Sequence, residues 1–109
     1  MATTSPESAT QSAKGPRTRI LVRFTAAPEV TAEQYDETIR RLEMSGEWPP
    51  NGLEYHVAFE SDGQFRVSEI WDSEEQLRAF GERLMPVLSE VGIDPGKPEV
   101  VKVHNTIRR

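Results

Sequence analysis

Residues 53–71, LEYHVAFESDGQFRVSEIW, decide the fold. They are two strand-like runs separated by Asp62-Gly63, a dipeptide that adopts the left-handed backbone a two-residue hairpin loop requires. Counting outward from that loop sets the partners: Ser61 opposite Gln64, Glu60 opposite Phe65, Ala58 opposite Val67, His56 opposite Glu69 and Glu54 opposite Trp71. His56, Glu69 and Trp71 therefore share one face, the only place where an imidazole, a carboxylate and a large aromatic are expected as neighbours. A slip of one residue would carry His56 to the other face, and the short loop opposes such a slip.

Upstream, RILVRFT over residues 19–25 is β-rich, with Ile20, Val22 and Phe24 on one face and Leu21, Arg23 and Thr25 on the other. Both faces are partly apolar, as in a central strand covered on both sides. Thr31 with Gln34 forms a capping box and Val30 with Tyr35 a hydrophobic staple, so a helix is predicted from there to about Ser45, with Tyr35, Ile39 and Leu42 on its apolar side. Trp48-Pro49-Pro50-Asn51-Gly52 cannot extend that helix and makes a loop, with Trp48 either packed beneath it or closing a pocket. Downstream, Asp72 or Ser73 caps a second helix, with Glu75 or Gln76 as its reciprocal partner. Leu77, Phe80, Leu84, Leu88 and Val91 form its stripe, Pro86 predicts a kink or restart, and Gly92 ends it. EVVKVHN, residues 99–105, makes the last strand.

The order is βαββαβ, which folds as an α+β ferredoxin-like plait, a four-stranded antiparallel sheet with two helices on one face. Tyr55, Val57, Phe59 and Ile70 lie on one hairpin face and Ala58, Val67 and Trp71 on the other, so neither is polar enough for water, and for whichever face the helices leave open a second copy stacking sheet to sheet, a homodimer, is the expected cover. The 109 residues, 36% hydrophobic and 28% charged, suffice for one domain, over residues 19–109. Residues 1–18, rich in Ser, Thr, Ala and Pro, lack large apolar side chains after Met1 and are expected as a disordered tail.

Composition removes several function classes. With 0 Cys there is no thiol nucleophile, disulfide or thiolate metal site, and a reducing cytoplasmic setting is expected. Neither a secretory leader nor a membrane span is expected, for want of an apolar run. Lys14, Arg17 and Arg19 against Glu7 leave the first 19 residues at +2, so the rest carries −7 of the total of −5. That charge is wrong for gripping phosphates, and Phe65 to Trp71 lacks the aromatic and basic pattern of a plait that binds RNA, so no nucleic acid is expected.

A unit of this length in which Glu69-Ile70-Trp71-Asp72-Ser73-Glu74-Glu75 ends a strand and enters an amphipathic helix resembles the dimeric α/β barrels of the antibiotic biosynthesis monooxygenase superfamily, over Arg19 to Asn105. The resemblance implies a pocket between sheet and helices in each subunit, used in the family's enzymes for cofactor-free oxidation of aromatic substrates. The superfamily also holds heme degraders, quinol oxygenases and stress-responsive barrels. Its heme degraders use an Asn on the first strand with a Trp and a ligating His on the second helix. Here there is no Asn between Arg19 and Thr25, Phe80 stands near the place of that Trp, and no His lies from Asp72 to Val91, so heme binding in that manner is not expected.

Of the candidate residues, His56 leads. Opposite Glu69, its imidazole would be held in one tautomer and could take a proton from a phenol or enol. Glu69 would orient it, and the alternative is a self-satisfied His–Glu pair that only fixes register. Trp71, Tyr35, Phe80 and Arg23 are the candidate substrate-binding residues, although Trp71 and Tyr35 also read as core and Arg23 as one half of an ion pair. His104 reads as a solvated strand end rather than a metal ligand, and no metal or other cofactor is expected. Two functions follow: a cofactor-independent monooxygenase-like enzyme acting on a phenolic or polyketide-like compound, or a non-catalytic dimeric barrel that binds a ligand or serves a stress response.

Overall fold

A computed structural model of the chain describes residues 18–109, so the expected tail over residues 1–18 lies, but for Thr18, outside the described residues. Six elements follow in order: β1 (Ile20–Thr25), α1 (Ala32–Met44), β2 (Leu53–Ser61), β3 (Gln64–Trp71), α2 (Glu74–Val91) and β4 (Glu99–Lys102). The strands form one antiparallel sheet in the spatial order β2-β3-β1-β4. This is the ferredoxin-like arrangement, with β1 and β3 at the centre. Ile20, Val22 and Trp71 from those strands join Leu42 of α1 and Phe80 of α2 in the core, which shows which sheet face meets the helices. No described helix is long and apolar enough to cross a membrane.

The Asp62-Gly63 loop has φ of 55° and 75°, the left-handed geometry this hairpin needs. It sets the pairing as counted from Ser61↔Gln64 through His56↔Glu69 to Tyr55↔Ile70. Beyond Tyr55 the count breaks. A bulge places Leu53, not Glu54, opposite Trp71. Trp71 is fully buried, and a carboxylate facing it would lose its water without gaining a partner. Glu54 is instead held by Arg19, at 2.8 and 2.9 Å, and by Arg108 at 2.9 Å.

The helix ends follow their capping chemistry. The Gln34 amide N–H donates to Thr31 Oγ1 at 3.2 Å and the Thr31 N–H donates to Gln34 Oε1 at 2.9 Å, the reciprocal box. The Gln34 side chain also donates to the Val91 carbonyl at 3.0 Å and so ties the start of α1 to the end of α2. Of the two caps expected for α2, Ser73 serves, accepting from the Gln76 N–H at 3.2 Å. Gly92, with φ of 82°, closes α2 as a left-handed cap, and the Ile93 N–H reaches back to Leu88 O at 2.9 Å.

Two expectations are corrected. The helix does not restart at Pro86: α2 runs through it from Glu74 to Val91. Proline removes a single donor, and the packing of Phe80, Leu84 and Val87 on the core holds the turns on either side. The last strand is also shorter than residues 99–105. Its partner β1 begins at Ile20, opposite Lys102, and after one further bond from Val103 N–H to Arg19 O the ladder has nothing left to pair with. His104 is exposed beyond it.

Candidate functional site

The helices leave a cavity of about 90 Å³ over the inner sheet face. Its walls are mainly apolar: Phe24, Ala26 and Val30 from β1 and the loop after it, Ile39 and Leu42 from α1, Phe65 and Val67 from β3, and Phe80, Leu84 and Leu88 from α2. Its polar side chains are Tyr35, Thr38, His56 and Glu69, with the indole of Trp48 beside them. Thr38 is occupied internally, its hydroxyl donating to Gln34 O at 2.9 Å. Polar chemistry is thus gathered at one corner.

That corner is a continuous hydrogen-bond chain. Glu69, 6% exposed, takes the Trp71 indole N–H on Oε1 at 2.8 Å and faces His56 Nδ1 with Oε2 at 2.7 Å. A carboxylate can only accept, so Nδ1 carries the hydrogen, and in the neutral imidazole Nε2 keeps its lone pair. The Tyr35 hydroxyl lies 2.6 Å from Nε2 and donates to it. Burial, and after it the charges of Glu69 and Asp36, raise the Tyr35 pKa above the usual phenol value, which keeps the hydroxyl protonated and able to donate. Aromatic rings flank the imidazole: Tyr35 lies nearly parallel to it, at 17° and 5.9 Å between centroids, and Trp48 meets it edge-on at 4.9 Å. Chemically, His56 in its neutral form is an oriented imidazole whose lone pair accepts a phenolic O–H.

The hairpin brings His56 and Glu69 together as the spacing requires, and both line the cavity. Phe80, 2% exposed, also forms part of the wall, between Trp48 and Trp71. Tyr35 joins the site through its hydroxyl, a contact that sequence reasoning did not specify. Trp71 takes a different place from the pocket wall expected of it: with 0% exposure it sits behind Glu69 and feeds its N–H into the carboxylate. Arg23 lies apart from the site, exposed on the outer sheet face and paired with Glu99 at 2.7 Å. Trp48 was open between two readings, and it both packs against the core and lines the cavity. No group of three or more His, Cys, Asp or Glu among the described residues is placed to hold a metal ion.

No protein-family model and no curated protein matches the sequence. Solved structures do match. SnoaB, a cofactor-independent oxygenase from Streptomyces nogalater, superposes with a TM-score of 0.54 at 14% identity, over 86% of this chain and 99% of that one. A candidate antibiotic biosynthesis monooxygenase from Caulobacter crescentus gives 0.57 at 17%, over 84% and 93%. MupZ from Pseudomonas fluorescens gives 0.55 at 13%, over 76% and 70%. The chain therefore has the fold of the antibiotic biosynthesis monooxygenase-like proteins.

Proposed function

We propose that this protein is a cofactor-independent monooxygenase-like enzyme that deprotonates a phenolic or enolic small molecule, with His56 as base, Glu69 as the group that orients it and Phe80 and Tyr35 at the substrate. One observation carries the reading: a carboxylate-oriented imidazole presents Nε2, held by an exchangeable phenolic O–H, at the polar corner of an otherwise apolar cavity. Removing the hydroxyl proton there yields an electron-rich anion that can itself reduce oxygen. The electrons balance without a further reductant: a phenol and O2 give a quinone and water, one oxygen atom forming the new carbonyl and the other leaving with two hydrogens of the substrate. The shared fold with SnoaB supports the same direction.

A second reading, a non-catalytic ligand-binding barrel, draws on the Tyr35 contact, because Tyr35 already satisfies the lone pair of His56. Oxygen uptake with a panel of hydroxylated aromatics, comparing the parent protein with His56→Ala, separates the two. Uptake that falls in the variant supports the base. Equal rates remove His56 from the mechanism.

We also propose that two copies pair through the outer sheet face. Tyr55, Phe59 and Val101 are exposed there, and stacking a second sheet would cover them. Sedimentation at micromolar concentration gives a dimer on this reading, and a monomer contradicts it.

A further inference from the structure

The reading of His56 as a base leaves the ligand's size and charge open, and the cavity restricts both. Resting on that reading, we propose that the site takes a neutral, single-ring phenol or enol whose hydroxyl replaces that of Tyr35 on His56 Nε2, and that it rejects carboxylated and fused-ring analogues.

Size comes first. A cavity of about 90 Å³ is smaller than the roughly 150 Å³ void that admits benzene, so a ring enters only with a side-chain movement, and a phenol side chain that moves aside makes room for one ring of its own size. Tyr35 supplies that movement. It lines the inner cavity and also a shallow surface depression that shares Tyr35, Ile39, Trp48 and His56 with it. These four side chains are the partition between the two spaces. When the Tyr35 ring swings toward the depression it vacates both volume and the hydrogen-bond acceptor it held.

Charge comes next. No Arg or Lys among the described residues lines the cavity, and the one ionisable carboxylate there, Glu69, has both oxygens engaged by donors. A ligand carboxylate would be desolvated with no Arg or Lys to meet it. Arg23, the candidate partner for such a group, stands on the opposite sheet face. The polar demand of the site is therefore one O–H donor, and Tyr35 itself shows the position that donor takes, 2.6 Å from Nε2.

The test is binding to the full-length protein, followed by two-dimensional NMR with 4-methylphenol, 4-methylanisole, 4-hydroxybenzoate and 2-hydroxyanthracene. The expected result is 4-methylphenol shifting the Trp48 indole N–H and binding at least about tenfold more tightly than each of the others, as the lost hydrogen bond of 4-methylanisole, the unpaired buried charge of 4-hydroxybenzoate and the two surplus rings of 2-hydroxyanthracene require. Tyr35→Phe keeps the ring against Phe65, removes the competing donor, and tightens 4-methylphenol about fivefold. Equal or tighter binding of 4-hydroxybenzoate or 2-hydroxyanthracene overturns the proposal. So do weaker binding in Tyr35→Phe, shifts confined to the outer-face residues Tyr55 and Phe59, and no binding of 4-methylphenol at millimolar concentration. Binding as expected without oxygen uptake removes the oxygenase and leaves this assignment standing, whereas uptake with 2-hydroxyanthracene and not with single rings does the reverse.

Discussion

Glu69→Gln is the perturbation that isolates the hydrogen-bond chain, because it changes one charge and one donor with almost no change of shape. In the parent protein both Glu69 oxygens accept, from Trp71 Nε1–H at 2.8 Å and from His56 Nδ1–H at 2.7 Å. A glutamine amide offers one oxygen and one NH2 to the same two donors. Trp71 has no alternative, since an indole N–H can only donate and the ring is fully buried, so the amide oxygen turns to it. The NH2 then faces Nδ1, and the conflict is relieved when His56 shifts its proton to Nε2 and accepts on Nδ1. Nε2 becomes a donor, and the lone pair that would take a substrate proton is gone.

The magnitudes separate stability from function. Two hydrogen bonds to a charged group, about 1.5–3 kcal/mol each, become two neutral ones of about 0.5–1.5 kcal/mol, a loss of roughly 2 kcal/mol. Relief from burying a charge offsets several kcal/mol, so the net change in stability is about 2 kcal/mol or less in either direction. Proton abstraction has no such offset and falls by about 10²–10⁴. The assay is long-range 1H–15N NMR of the His56 ring, which distinguishes the tautomers directly, alongside thermal unfolding and oxygen uptake. Retention of Nδ1–H in the variant, or undiminished uptake with the tautomer switched, refutes the reasoning.

The remaining predictions concern the scaffold. Arg19, and after it Asp72, hold the Glu54 carboxyl down at about 2 from an ordinary 4.5, so its contribution is fully present above pH 4.5 and is lost as pH falls from there toward 2. Glu54→Gln should therefore destabilise by about 1–2 kcal/mol at pH 7, the partial exposure of the pair having been allowed for, and the gap between the melting curves of parent and variant should narrow steadily as the pH is lowered from 4.5 toward 2. A constant gap would place the effect elsewhere. Gly92→Ala puts a Cβ on a residue with φ of 82° and 3.3 Å from Gln34 Nε2, costing about 1–2 kcal/mol in urea denaturation; an unchanged midpoint contradicts the left-handed cap. Leu42→Ala, at a side chain 1% exposed in the core, should lose about 2–5 kcal/mol, and a loss below 1 would show that the cavity beside it collapses freely.

What the sequence disclosed is what short-range geometry controls. Asp62-Gly63 transmits its register through His56 and Glu69 as far as Tyr55 and Ile70, 7 residues from the loop on either side, because each rung of an antiparallel ladder fixes the next. The caps at Thr31, Ser73 and Gly92 are equally local. The register fails at Glu54, where the deciding contacts come from Arg19 and Arg108, 35 and 54 positions away in the chain, and no count along the hairpin can include them.

The candidate site divides along the same line. Alternation put His56, Glu69 and Trp71 on one face, and they are on one face. It carried no information about depth, which is why Trp71 read as a wall when it is the donor behind the carboxylate. Depth is set by the helices, and the position of a helix over a sheet depends on side-chain packing that has no fixed period in sequence. Tyr35 shows the consequence. Its place at the start of the apolar stripe of α1 was legible, but whether its hydroxyl would reach water or Nε2 depended on a shift of one helical turn. On the proposed reading that contact decides the chemistry, since the phenol O–H resting on His56 would mark both the kind of donor the site accepts and the side chain a ligand must displace.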